Sequence, residues 1–320
     1  MRNLIWKMVA VLALTAGAGV QAQTWPDRPL KLVVGIGAGS STDAISRLIA
    51  RQLADRLGQP VVVDNRAGAG GTVAAEMVAK APADGYTLLS ATSSIPIFPH
   101  MYTLRFDPEK DLVPVGGIGA GTMVLVVKAE SGARSVAELV EKAKTRPKAV
   151  SYATAGVGSN AHLAAEVVAQ LAGVEFLHVP YKSSAAGMID VQAGLIDFTF
   201  DALSTVQPQI NAKRVKALAV TTSQRSVFMP EVPTLDEAGV RGFAHPVWYA
   251  VFAPSGTPKA ALDRLTAEMQ TVVGSPAFRE EIAKFGLEAF PVSGEALAQQ
   301  IHEESVGWGR KIKTIKLDAR

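Results

Sequence analysis

The chain contains no cysteine. Disulfides, thiolate metal sites and a cysteine nucleophile are therefore excluded, and the fold must be held by its own apolar core. Aromatic residues make up only 6% of the sequence, and the cations are scattered among acids rather than gathered into a stripe with interleaved aromatics. Nucleic acid is thereby set aside as a partner. The common catalytic signatures are missing too: there is no Gly-x-Ser-x-Gly elbow, no His-Glu-x-x-His, no Gly-rich loop ending in Gly-Lys-Ser/Thr and no Ser-x-x-Lys. No metal site and no cofactor are expected.

Long apolar runs are equally scarce. The one at 8–20 follows Arg2 and Lys7 and precedes Val20-Gln21-Ala22, the layout of a secretory leader cleaved after Ala22. It is shorter than the roughly 20 residues a membrane span needs. We therefore expect a signal peptide over 1–22 and a soluble mature chain outside the cytoplasm. Losing Arg2 and Lys7 leaves 30 cations against 29 acids, so the formal charge drops from +3 to +1. The basic balance of the full sequence thus says little about partners. The remaining 298 residues are enough for about two domains.

What is present is alternation. Short apolar segments at 30–34, 61–64 and 87–91 are separated by amphipathic ones at 43–57 and 72–80, and the apolar period switches from two to nearly four each time. A second block repeats the theme, with strands at 123–127, 150–153, 175–179, 198–200 and 217–220 and helices at 135–144, 160–172, 185–193 and 205–212. A strand at 248–253 and helices at 259–273, 276–285 and 295–312 close the chain. This predicts an α/β protein with mainly parallel sheets. No low-complexity linker separates the blocks, which suits two lobes crossed by more than one segment around a cleft.

Two strand-to-helix loops stand out. Gly35-Ile36-Gly37-Ala38-Gly39-Ser40-Ser41-Thr42-Asp43 follows the first strand, and Thr154-Ala155-Gly156-Val157-Gly158-Ser159-Asn160 holds the same place in the second block. Glycines let backbone N–H groups approach a ligand, and the helix N-terminus behind them favours an anion. Thr42 or Asp43 is expected to cap the first helix, with Asp43 structural because its own charge repels an anion. Ser159 or Asn160 is expected to cap the second. One loop per lobe, facing across a cleft, would clamp a small anion. The dinucleotide alternative is only partly met: Asp64 falls near the ribose-binding acid's place, but Ser40 stands where the third glycine belongs. His162, inside the second helix, reads as a structural cap, and His178, at a strand end, as structural. Asp201, at the end of a strand, either caps the next helix or meets ligand. Tyr181 and Lys182 also leave a strand end, where a phenol and a cation can reach a carboxylate.

Together these motifs resemble the Bug family, the periplasmic solute receptors of tripartite tricarboxylate transporters. The resemblance rests on Trp25-Pro26-Asp27-Arg28-Pro29-Leu30, the stretch from Gly58-Gln59-Pro60 through Asp64-Asn65-Arg66 to Gly70-Gly71, and Ala83-Asp84-Gly85-Tyr86. It continues through Gly156-Val157-Gly158-Ser159-Asn160-Ala161-His162, His178-Val179-Pro180-Tyr181-Lys182, Phe200-Asp201-Ala202-Leu203, Val232-Pro233-Thr234 and Ala253-Pro254-Ser255-Gly256. It implies a two-lobed type II periplasmic-binding-protein fold. It also implies that a ligand carboxylate is held mainly by backbone groups and ordered waters, between Ile36, Gly37, Ala38, Gly39, Ser40, Ser41 and Thr42 on one side and Thr154, Gly156, Val157, Gly158, Ser159 and Asn160 on the other. The family usually carries Pro-Phe-Pro-Pro-Gly-Gly where this chain has Gly35-Ile36-Gly37-Ala38-Gly39-Ser40, so the first loop has lost its stiffening prolines. Ala67 replaces another proline.

The resulting expectation is a monomeric periplasmic receptor that captures a small organic acid, makes or breaks no bond, and passes the acid to the transporter's membrane subunits. One lobe would comprise 23–122 with 250–320, and the other 123–249. Thr92, Ser93, Tyr181, Asp201 and Trp248 are the candidates for specificity deeper in the cleft. An exported hydrolase or oxidoreductase on the same scaffold, and a ligand-sensing subunit of a signalling system, are the alternatives.

Overall fold

The computed structural model describes residues 25–130 and 133–313; the expected signal peptide lies outside them. β1 (Leu30–Val34), α1 (Ser41–Leu57), β2 (Val61–Asn65), α2 (Thr72–Ala79) and β3 (Thr87–Thr92) open the first lobe. In α1, Ile45, Leu48, Ile49, Leu53 and Leu57 recur every three or four residues and are buried, the stripe that holds the helix on the sheet. Truncating one of them, such as Leu53→Ala, costs about 2–5 kcal/mol. The helix stops where Gly58 turns left-handed at φ 69° and donates its N–H to the Ala54 carbonyl. The short helices α3 (Phe98–Met101) and α4 (Pro108–Asp111) then lead into β4 (Leu112–Gly121).

The second lobe follows without a linker: β5 (Met123–Lys128), α5 (Val136–Thr145), β6 (Ser151–Thr154), α6 (Asn160–Ala172), β7 (Leu177–Pro180), α7 (Ser184–Ala193), β8 (Phe198–Ala202), α8 (Leu203–Asn211) and β9 (Val215–Val220). The chain returns through β10 (Val247–Pro254), α9 (Lys259–Gly274), α10 (Pro276–Ala283), β11 (Leu287–Ala289) and α11 (Gly294–Ile312). The first sheet runs β11-β4-β10-β3-β1-β2 and the second β7-β6-β8-β5-β9. The lobe boundary expected at 249/250 falls inside β10, whose register with β4 already starts at Val247 opposite Gly121.

The sheets are mixed rather than mainly parallel. β1 pairs in parallel with β2 and β3, and β6 with β7 and β8, as helical crossovers require. β10 is antiparallel to β3 and β4, and β5 is antiparallel to β8 and β9. These strands arrive from the opposite lobe or lie next to a strand that does, with no helix to turn the chain round. At the crossing the two connections are laced together: Met123 N–H donates to Thr221 Oγ1 at 2.9 Å and Thr221 N–H to Thr122 Oγ1 at 3.0 Å.

β4 was not expected at all, because Pro114 and glycines 116, 117, 119 and 121 depress its strand character. The glycines are there because α10 and the segment after β11 lie directly on the strand. A Cβ at Gly119 would stand 3.1 Å from Ile282 Cγ1, and one at Gly117 would enter the Phe290 ring.

Candidate functional site

Two helices begin at the site in the same way. Ser40 precedes α1 in extended conformation and its Oγ accepts the Asp43 N–H at 3.2 Å; Ser159 precedes α6 and accepts the His162 N–H at 3.4 Å. The first helix thus starts two residues earlier than expected, and Ser40 takes the cap role assigned to Thr42 or Asp43. An α-helix leaves the N–H groups of its first turn without intrahelical partners. The serine satisfies the third, so the first two remain: Ser41 and Thr42 in α1, Asn160 and Ala161 in α6.

The Asp43 carboxylate turns away from this end. It accepts N–H from Gly39 at 3.0 Å and from Asn65 Nδ2 at 2.9 Å, and pairs with Arg47 at 3.0 Å. Burial alone would raise its pKa, but these partners hold it below the usual carboxylate range. It is a spent charge that fixes the first loop.

Both helix starts face one cavity of about 80 Å³. The first lobe lines it with Ile36, Ser40, Ser41, Thr42, Gly70, Thr92 and Ser94; the second with Ala155, Ser159, Asn160, Ala161, Ser184, Phe200, Asp201 and Ala202; the crossing strands add Met123, Val247 and Tyr249. No lysine, arginine or histidine is among them. The groups here that can attract an anion are helix ends and hydroxyls, with Asp201 the one acid among the lining residues.

Several expected residues lie elsewhere, each for a visible reason. Gly37, Ala38 and Gly39 form an outward turn in which Ala38 and Gly39 are exposed, and the Gly39 N–H belongs to Asp43. In the second loop the Gly158 N–H donates to His162 Nδ1 at 3.2 Å and the Gly156 N–H to Thr154 Oγ1 at 3.1 Å, while Thr154 Oγ1 also meets His178 Nε2 at 2.6 Å. These donors hold the loop together and are spent on it. His162 therefore supports the loop with its ring rather than capping the helix. Val157 offers its carbonyl to the Tyr102 hydroxyl. Ser93 is buried and does not line the cavity; its hydroxyl donates to Asn160 Oδ1 at 3.3 Å. Tyr181 bonds Asp190 of α7 at 2.5 Å and does not line the cavity. Trp248 points to the back of the first sheet, where its indole N–H donates to the Glu304 carboxylate at 3.0 and 3.1 Å.

The residue missed beside Trp248 is Tyr249. Successive strand residues face opposite sides, so the same strand that sends Trp248 into the back core sends Tyr249 into the cavity. Burial raises the Tyr249 phenol to about 12, with the Ser41 hydroxyl pulling the other way and the Asp201 carboxylate adding to the rise. Only the alternation along 247–254 could have shown it. Ser94, Ser184 and Gly70 are lining residues that no local pattern marks. Gly70 comes from the first lobe to within a side chain's width of the second loop: at φ 64°, a Cβ on it would stand 2.7 Å from the Val157 carbonyl oxygen.

Comparison with known proteins agrees with this architecture. Residues 45–317 match the model of the tripartite tricarboxylate transporter family receptor. The chain belongs to this receptor family. Among solved structures it is similar to the periplasmic binding protein BugD, with 32% identity, 92% of this chain and 99% of that one covered, and a TM-score of 0.86. Rpa4515 of R. palustris, solved with adipate, gives 35% identity, 91% and 98% coverage and a TM-score of 0.86. MatC of Rhodopseudomonas palustris, solved with bound malate, gives 28% identity, 90% and 100% coverage and a TM-score of 0.84. The family is one of periplasmic solute-binding receptors that work with transporter membrane subunits.

In this receptor the lobes touch directly at the site. Asn160 Nδ2 donates to Thr92 Oγ1 at 3.3 Å while its Oδ1 takes the Ser93 hydroxyl, and Tyr102 reaches Val157 from the same side. Burial pushes the Tyr102 phenol up to about 12, so it stays a neutral donor. Behind the second loop, the His162 and His178 rings lie 4.3 Å apart between centroids, tilted by 39°, with Tyr152 stacked on both. Burial pushes His162 down to about 3, with His178 adding to the effect, and His178 down to about 4. Both rings are neutral at any ordinary pH, which leaves His162 Nδ1 free to accept the Gly158 N–H.

Proposed function

We propose that this receptor takes the carboxylate of a small organic acid between the starts of α1 and α6, with the lobes closed over it. The observation that carries the reading is the pair of serine-capped helix ends, each with two unpaired N–H groups, lining one cavity that has no cationic side chain. A carboxylate has about four lone-pair sites, and four N–H donors meet them. Adipate in Rpa4515 and malate in MatC support an organic acid as the ligand class. The protein is exported by the leader at 1–22, acts as a monomer and hands its ligand to the membrane subunits without altering it.

Native mass spectrometry of protein purified without refolding, followed by calorimetry with the acid it retains, tests the reading. The expected result is a retained carboxylate that rebinds the stripped protein at one site per chain and is recovered unchanged. Retention of a neutral or cationic compound only, or turnover of the bound acid, would overturn it.

A further inference from the structure

Asp201 is the one charged group on the cavity wall, and its chemistry is incomplete. It is the penultimate residue of β8 and is 4% exposed. Oδ1 accepts the N–H of Ala202 at 2.8 Å. Oδ2 is buried without any hydrogen-bond partner. The side chain does not cap α8, whose start at Ala202 has no side-chain cap. The hydroxyls of Ser184 and Thr205 lie close enough to ease the burial of the charge but do not reach hydrogen-bond geometry. A buried polar atom left unpaired costs about 1–3 kcal/mol, and here it lines the space where the ligand goes. From β10 it faces Tyr249, the other titratable residue on the cavity wall, whose neutral phenol puts no charge opposite.

We infer that Asp201 Oδ2 accepts a hydrogen bond from the ligand itself, so that the preferred ligands are acids carrying an N–H or O–H donor at a distance from their carboxylate. Amino and hydroxy acids meet this requirement. The inference rests on the carboxylate reading of the helix ends and names what the opposite end of the ligand must supply. It also says what is disfavoured: a second ionised carboxylate would meet an ionised Asp201 in a site with no cation to separate them. Because burial lifts Asp201 to about 6, amino acids and dicarboxylates have opposite pH dependence. An amino acid, whose ammonium can only donate, needs the ionised form and loses affinity as pH falls through about 6, whereas a hydroxyl can turn to accept from the protonated form. A dicarboxylate must bring a proton with it and gains affinity over the same range.

The test is calorimetry on ligand-stripped protein at pH 7.5 and pH 5, with plain monocarboxylates of two to six carbons, their hydroxy and amino derivatives, and the matching dicarboxylates. At pH 7.5 the best donor-bearing acid should bind about tenfold or more tighter than the plain acid of equal length, the range of one charge-assisted hydrogen bond. For the amino acids that advantage should shrink at pH 5. Asp201→Asn should remove it for the amino acids: Oδ1 must still accept from Ala202, so the variant's amide NH₂ occupies the Oδ2 position and points a donor at an ammonium that cannot accept, whereas a hydroxyl can turn to accept. The pH comparison on the unaltered protein carries the test if that variant does not fold. Equal binding of plain and donor-bearing acids, or tightest binding by a dicarboxylate at pH 7.5, refutes the role of Asp201 while leaving the carboxylate seat intact. Failure of every acid in the series to bind refutes the seat itself, and this inference with it.

Discussion

The imidazole of His162 should make the second loop sensitive to acid, and His162→Asn should remove that sensitivity while keeping the loop in shape. In the folded protein the ring is 5% exposed and its pKa is driven to about 3 by burial and by His178. In the unfolded chain it returns to about 6.5. A base whose folded pKa is depressed binds protons more readily when unfolded. Its contribution to stability is therefore complete above pH 6.5 and is lost as pH falls from there towards 3. Between pH 7.5 and 5.5 the loss from this group comes to about 1.3 kcal/mol, using 1.36 kcal/mol per unit below the unfolded pKa. Asparagine carries Oδ1 one bond from Cγ, where histidine carries Nδ1, so it can still accept the Gly158 N–H. His162→Leu cannot, and should cost about 1–3 kcal/mol at every pH for the unpaired N–H.

The assay is the melting temperature of wild type and His162→Asn, measured between pH 7.5 and 5.5. Asp201 acts in the opposite sense, since its raised pKa means that stability grows as pH falls through about 6. Its share is the same in both proteins and cancels in the difference. What should remain is a narrowing of the gap between variant and wild type by about 3 °C towards acid pH. A gap that stays constant over this range would show that His162 is protonated or solvated in the folded state, and the account of the second loop would be wrong.

Gly70→Val should hold the lobes apart, because its side chain would enter the space taken by the Val157 carbonyl; the radius of gyration should rise, and an unchanged value would mean that this contact does not set closure. Asn160→Ala removes the bridge to Thr92 and Ser93 and should weaken ligand binding by about 1–2 kcal/mol, on the order of two part-buried hydrogen bonds, with little change in melting temperature. Trp248→Phe should destabilise the protein by about 1 kcal/mol, since it leaves the half-buried Glu304 with one partner fewer, and should leave ligand affinity alone. Tyr249→Phe should do the reverse, and a shared effect of the two would contradict the facing of β10.

Much of this architecture was legible because most segments carried their own signal. The apolar stripe of α1, the run of Asn160–Ala172 and the short strands between glycine-rich turns specify their structure locally. β4 was illegible because its glycines answer to α10 and Phe290, which meet it only in the fold. The mixed pairing was missed because strand direction depends on where the chain crosses between lobes, which no local period records. At the site, the two loops and the Ser159 cap could be read, but Ser40 as the cap of the first helix and the choice among the N–H groups could not. That choice is made by Asp43, Thr154 and His162, side chains that reach back into the loops. Trp248 was a candidate for the cleft, and the alternation of the strand gives that place to Tyr249.

The glycine turn that replaces the prolines of the first loop projects outward, and the donors nearest the cavity belong to the helix behind it. The carboxylate seat proposed for these main-chain N–H groups has no side chain that mutation can remove. The loop ahead of it is therefore free to drift in sequence, provided Ser40 and Ser159 remain to start their helices. Selection for a new substrate in such a lineage would act on the far wall, around Asp201, Ser184 and Tyr249, and leave the anion end as it is.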